Sequence, residues 1–135
     1  MSEAQNTTVV QDAYAAFGRS DIPTLLGYMT DDILWQAVIG AGSHVPFSGE
    51  RHGKAAVGEF FRQVAETEDF EQFEPREFVA QGDQVVAIGY YRAKTRTTGK
   101  TFASPFVMVF TLRGGKISAF REFSDSAAIN AAFAV

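Results

Sequence analysis

Cysteine is absent from this chain, so disulfides, thiolate metal sites and cysteine nucleophiles are all excluded. No apolar run approaches the ~18 residues of a membrane span. The polar start from Met1 to Thr7 lacks the basic and apolar regions of a secretory signal. Asn6-Thr7-Thr8 fits the N-glycosylation pattern, which has meaning only in an exported chain. Twelve Lys and Arg face 16 Asp and Glu, and the bases do not cluster. Nothing would neutralise a run of phosphates, which argues against a nucleic-acid partner. A cytoplasmic protein with no membrane partner is the expectation. Nucleotide motifs are missing as well. Gly99-Lys100-Thr101 matches the end of a phosphate loop, but Lys94 stands where its first glycine belongs. Gly40-x-Gly42 lacks a third glycine, and there is no G-x-S-x-G. No cofactor is expected. No H-E-x-x-H spacing exists, so no metal is expected either.

What is present describes one globular domain over residues 1–135, with 46% apolar and 21% charged residues. Thirteen phenylalanines in so short a chain point to a thick core, an apolar pocket wall, a dimer face or a mixture of these. Residues 1–7 are polar and expected to fray. Val10, Ala13, Tyr14 and Phe17 then recur at helical spacing and predict an amphipathic helix ended by Gly18. Asp21 and Pro23 open a short second helix through Tyr28. Ile33 to Ile39 reads as a strand, and Gly40 to Gly53 as a long loop. Val57, Phe60, Phe61 and Val64 mark a third helix from about Lys54 to Thr67.

From Glu68 the period changes to two. Strands are predicted at 69–80, 84–97, 101–113 and 116–124, joined by turn residues into an antiparallel meander. Ser124, Asp125 and Ser126 offer caps to a last short helix holding Ile129, Ala132 and Phe133. Helices followed by an antiparallel sheet is the α+β pattern. The strands from 84 and 101 are apolar on both faces, so both must be covered. Three short helices cover one face; the outer one, assigned to Val85, Ala87, Tyr91, Val107 and Val109, is expected to pair with a second copy in a homodimer.

Thr30-Asp31-Asp32-Ile33-Leu34-Trp35 resembles the opening of a known superfamily. So do Gly49-Glu50-Arg51-His52-Gly53 before a Phe-rich helix, and the close from Gly114-Gly115-Lys116-Ile117 to Phe120-Arg121-Glu122-Phe123-Ser124-Asp125. From about Val9 to Ala134 the chain is similar to the nuclear transport factor 2-like superfamily, and within it to the SnoaL-like, ketosteroid-isomerase-related branch. The resemblance implies a cone-shaped, curved antiparallel sheet with helices across its concave face and a pocket between. It implies inward positions at Trp35 and Ala37; at Ile88, Tyr90 and Arg92; at Phe106, Met108 and Phe110; and at Phe120, Glu122 and Ser124. The catalytic residues of the relatives are not reproduced. The steroid isomerases' tyrosine falls at or beside Ala13, with Tyr14 one residue off; their base falls at Ala37 and their hydrogen-bonding aspartic acid at Met108. Against the limonene epoxide hydrolases, the arginine falls near Tyr90, one aspartate near Arg92 and the other at Glu122, where alone the chemical type is kept.

Four residues are candidates for chemistry. Glu122 on an apolar strand face is a desolvated general acid or base, or a carboxylate merely neutralised by Arg92. Arg92 is a clamp for a carboxylate or enolate, that neutralising partner, or a residue facing solvent. Tyr90 hydrogen-bonds a ligand or belongs to the core. His44 shuttles protons near the pocket mouth or decorates a loop. The acids Glu66, Glu68, Asp69, Glu71 and Glu74 read as a solvated face. Three functions remain open: a cofactor-independent isomerase, cyclase or hydrolase on a small, mostly apolar substrate; a non-catalytic binder of such a molecule; or a dimerisation module with a vestigial pocket.

Overall fold

The helical stripe of Val10, Ala13 and Phe17 belongs to α1 (Glu3–Gly18) of the computed structural model, which describes residues 2–135. The start of the chain departs from expectation: Glu3 to Thr7 form the first turns of α1 instead of fraying. Ser2 Oγ accepts from the Gln5 amide at 3.1 Å and Gln5 Oε1 accepts from the Ser2 amide at 2.8 Å, a reciprocal capping box. Glu3 also accepts from the Gly82 amide at 2.8 Å, tying this end to the sheet. Met1 lies outside the described residues.

Next come α2 (Ile22–Gly27), capped by Asp21, β1 (Met29–Ala37), β2 (Gly49–His52) and α3 (Lys54–Thr67). They are followed by β3 (Glu68–Gln81), β4 (Gln84–Thr95), β5 (Thr101–Arg113), β6 (Lys116–Ser124) and α4 (Ser126–Phe133), capped by Asp125. The α+β order is as read from the sequence, with one strand added. β2 lies inside the segment taken for loop and pairs antiparallel with β1, from Leu34↔His52 to Ala37↔Gly49.

The six strands form one curved, unclosed sheet in the order β2-β1-β6-β5-β4-β3. β3 to β6 make the expected antiparallel meander. The β1–β6 pair is parallel, which the long connection between these strands permits. α1, α2 and α3 pack across the concave side, and α4 closes one end against β4 and β5. Among the described residues no helix is long and apolar enough to cross a membrane.

The pairing fixes which side chains point inward. Phe106 lies opposite Gly89, Met108 opposite Ala87, and Phe110 opposite Val85. Directly opposed residues share a face. The concave face of β4 is therefore Val85, Ala87, Gly89, Tyr91 and Ala93, all buried. This corrects the expected register by one residue: Ile88, Tyr90 and Arg92 point outward, while Val85, Ala87 and Tyr91 point in. On the other strands the register is as expected. Met108 opposes Glu122, Phe110 opposes Phe120, and Phe120 lies beside Trp35. Gly89 explains how the mistake arises. A Cβ there would sit 2.5 Å from the Phe106 ring and 2.2 Å from the Glu74 carbonyl oxygen, so the inner face of β4 is blank at its centre.

Candidate functional site

Between the sheet and the helices lies a cavity of ≈ 80 Å³. Its wall is overwhelmingly aromatic and aliphatic, with Phe17, Trp35, Phe60, Phe61, Phe73, Phe110 and Phe120 prominent. Trp35 stacks on Phe120 with centroids 3.8 Å apart, as their adjacent register positions require. Polar groups enter this apolar shell at a few points only: Tyr14 from α1, Glu68 from β3, Tyr91 from β4 and Glu122 from β6.

Glu122 is held from one side. Its Oε2 accepts from Ser124 Oγ at 2.7 Å and from the Tyr91 hydroxyl at 3.0 Å. Ser124 shares the strand face two residues on, and Tyr91 reaches across from β4. No bond falls on Oε1 among the described residues. Burial raises the pKa of Glu122, and the bonds from Ser124 and Tyr91 hold part of that rise back. Burial likewise raises the pKa of Tyr91, and Glu122 adds to the effect.

Glu68 opens β3 directly after α3. It is 5% exposed, and its Oε2 has no hydrogen-bond partner in the protein. Burial first, and the charge of Glu122 second, push it up to about 8. The Trp35 indole Nε1 is also buried without a partner. The Tyr14 hydroxyl donates to Met108 Sδ at 3.0 Å, and its pKa is raised by burial and then by Glu122.

Of the residues singled out from the sequence, Trp35, Met108, Phe110, Phe120 and Glu122 line the cavity. Ser124 supports Glu122. Ala37 and Phe106 are buried packing residues, and Phe106 stacks on Phe73 at 5.4 Å. The others are not brought together. Arg92 does not meet Glu122; its Nε donates to Glu71 Oε1 at 2.8 Å on the outer face. Tyr90 lies outside with the Arg76 guanidinium over its ring at 5.2 Å. Ile88 is 36% exposed, and His44 is exposed in the loop after β1. His52 pairs with Glu50 at 3.1 Å on the β2 edge. Each misplacement on β4 has one cause, the parity set by β5.

Glu68, Tyr91 and Tyr14 escaped the sequence reading. Glu68 was hidden in an acidic run, yet Phe70 two residues on shares its face and was the available signal. Tyr91 was placed outside by the shifted register. Tyr14 sits on the α1 stripe already identified.

Glu122 and Val38 also border a second, outer cleft of ≈ 480 Å³, lined by Gln36, Ile39, Arg121, Phe123, Ser124 and Ser126. They thus form the partition between cleft and cavity. Val38 has φ 53°, a left-handed conformation uncommon for a β-branched residue, and its carbonyl accepts from Ser48 Oγ at 2.7 Å.

Residues 10–120 match the family model described as SnoaL-like domain. A nuclear transport factor 2-like protein of Burkholderia xenovorans superposes with a TM-score of 0.89 at 32% identity, covering 99% of each chain. One of unknown function from Burkholderia pseudomallei gives 0.86 at 26% identity over 100% of both chains. TerC, co-crystallised with polyporic acid, gives 0.79 at 28% identity over 96% of this chain and 98% of its own. No curated protein matches the chain.

Proposed function

The chain belongs to the SnoaL-like domain family, and from that premise we propose that it is a cofactor-independent proton-transfer enzyme, an isomerase or cyclase of a small, mostly apolar carbonyl compound. Glu122 takes and returns the proton. One observation carries this reading: a carboxylate fixed by two donors on Oε2, with Oε1 left free, in an otherwise apolar cavity. Desolvation raises its basicity toward neutrality, where a general base works best. The bonds from Tyr91 and Ser124 orient it. The co-crystallisation of TerC with polyporic acid supports a small organic ligand for this chain too.

The reading excludes steroid isomerisation. Ala37 offers no base, and Met108 accepts a hydrogen bond from Tyr14 instead of donating one to an oxyanion. Size points the same way: ≈ 80 Å³ is less than the ~150 Å³ of an engineered cavity that binds benzene. Even a ring-sized ligand needs the wall to yield, and unbranched Met108 is the most adaptable side chain in it. The test is α-proton exchange of small ketones in D2O, followed by proton NMR. Glu122→Gln is expected to slow exchange by ~10²–10⁴. An unchanged rate in that variant, or no exchange with any ketone, sinks the proposal.

The same reading includes a homodimer, on a corrected surface. Ile88, Val107 and Phe123 are 36%, 37% and 55% exposed, and they are direct cross-strand neighbours on the outer face of β4, β5 and β6. A second copy of this apolar row is the self-complementary cover that a two-fold interface requires. A stable contact buries ~1,200 Å² or more in total. Light scattering at micromolar concentration is expected to give twice the monomer mass, and Val107→Lys to halve it. A monomeric parent protein refutes the interface.

A further inference from the structure

The cavity holds two carboxyls and, among the described residues, no Lys, Arg or His in its wall. Two negative charges in an apolar shell without a cation raise each other's cost, so at neutral pH the pair keeps one proton between them. Geometry decides which partner is ionised. Glu122 receives two donated hydrogen bonds, which stabilise a charge. Glu68 receives none at its buried Oε2, and a buried unpartnered carboxyl is least costly when neutral. The other titratable groups lining the cavity, Tyr91 from β4 and Tyr14 from α1, are neutral phenols. Glu68 is 5% exposed and its Oε2 is shut off from solvent. A protonated carboxyl so placed is a hydrogen-bond donor waiting for an acceptor. The unpartnered Trp35 Nε1–H adds a second donor to the same cavity.

We propose that Glu68 is the acid of this site, protonating the carbonyl oxygen of an uncharged ketone or aldehyde while Glu122 removes the α-proton. The proposal rests on the role given to Glu122 above and names the substrate class of that site. The step balances. The α C–H pair becomes the C=C bond of an enol, and its proton goes to Glu122 Oε1. The C=O π pair becomes an O–H bond with the proton from Glu68. The negative charge passes from Glu122 to Glu68, so the cavity carries one charge before and after. Return of the proton to another carbon isomerises the substrate; attack of the enol on a second carbonyl closes a ring. Carboxylates and phosphates are excluded as the part that enters, because they would add a second anion beside the first. Near pH 8 Glu68 loses its proton to solvent and the acid is gone.

The probe is 2-indanone, a flat neutral ketone with activated α-protons, whose deuteration is followed by proton NMR from pH 5 to 10. With the unaltered protein the rate is expected to fall as pH rises through about 8. Glu68→Gln keeps a hydrogen-bond donor but has no proton to transfer and cannot titrate; its rate should lie between those of the parent and of Glu68→Met, without the alkaline fall. Glu68→Met loses the donor, and a loss of ~10²–10³ is expected, as for removal of one oxyanion donor. Glu68→Met at the parent rate with the alkaline fall intact overturns the proposal, as does an alkaline fall persisting in Glu68→Gln. Infrared spectroscopy of the unaltered protein gives a readout free of folding effects. A protonated-carboxyl stretch should be present at neutral pH, shift on adding 2-indanone and vanish above pH 8. Its absence, or indifference to the ketone, also overturns the proposal. The two readings fail separately. Undiminished exchange in Glu122→Gln removes the base and the reading above, whereas loss in Glu122→Gln with an inert Glu68 series removes this inference alone.

Discussion

The two faces of the sheet are built from the same strands and obey opposite rules. Tyr90 and Tyr91 are consecutive. The first lies outside under the Arg76 guanidinium; the second is 4% exposed and donates to Glu122. Glu68 and Glu71 are three residues apart on β3, one buried without a partner, the other in an exposed pair with Arg92. On the outer face every carboxylate of β3 that pairs finds an arginine: Asp69 with Arg96, Glu71 with Arg92, Glu74 with Arg76. On the inner face neither carboxyl finds one. The lesson is that charge here is met by salt bridges where water screens it, and by a retained proton or hydroxyl donors where the carboxyl is drawn into the apolar wall.

The largest effect expected from breaking this contrast is in packing. Phe106 and Phe123 stand on opposite faces of neighbouring strands, 1% and 55% exposed. Phe106→Ala leaves a cavity against Gly89 and Phe73 and should cost roughly 3–5 kcal/mol. Phe123→Ala in dissociated protein should cost less than about 1 kcal/mol. Urea unfolding of both measures this. Equal costs would mean that the outer face is covered as thoroughly as the inner.

The legibility of the fold follows the same division. On β5 and β6 the sequence speaks clearly, because Phe106, Met108 and Phe110 alternate with Pro105, Val107 and Val109, and the turn at Gly114-Gly115 pins β6 to that phase. The family resemblance carried Trp35, Phe120 and Glu122 to the right face. On β4 both parities are apolar and both hold a tyrosine, while Gly89 empties the inner position that would have settled the phase. A slip of one residue there moves every side chain to the other face, and it took Arg92 and Tyr90 into a site they do not reach. β2 was hidden because a four-residue polar edge strand looks like loop. The start of α1 was legible in principle, since Ser2 and Gln5 have capping-box spacing, but polarity was read as fraying. Glu68 was lost because composition cannot tell a buried acid from its solvated neighbours.

The second effect is electrostatic and sharpens the contrast through pH. Glu68 is raised from 4.5 to about 8. Between those values the folded protein keeps a proton that the unfolded chain releases. Its contribution to stability is therefore full below about pH 4.5 and is lost as pH rises to about 8, at roughly 1.4 kcal/mol per pH unit. Glu122, also raised by burial, slopes the same way. The outer carboxylates slope oppositely. Hydrogen bonds from Arg96 to Asp69 and from Arg76 to Glu74 hold these two down, so their contribution is lost as pH falls through the acid range. Glu68→Gln should flatten the decline of Tm between pH 5 and 8 and leave the acid limb unchanged. A decline of full slope in that variant would place the buried proton elsewhere.

The smallest effect is the most direct check on the register. Arg92 and Glu71 have side chains about half exposed, 52% and 44%, and Arg92 Nε lies 2.8 Å from Glu71 Oε1. Exposed pairs of this kind contribute about 0–1 kcal/mol, because water screens the attraction and two long side chains must be ordered. Arg92→Gln keeps the length of the stem and much of its polarity. It should cost at most about 1 kcal/mol in urea unfolding, and leave the exchange of 2-indanone and its pH profile unaltered. An arginine in the cavity would behave otherwise. Its loss would strand Glu122 without a cation, moving the alkaline fall and slowing exchange by orders of magnitude. A third pattern is also readable: unaltered chemistry with a stability loss well above 1 kcal/mol that grows with protein concentration. That combination would place the Arg92–Glu71 pair under the second copy of the sheet, beside the row of Ile88, Val107 and Phe123, where desolvation makes the same ion pair count for more.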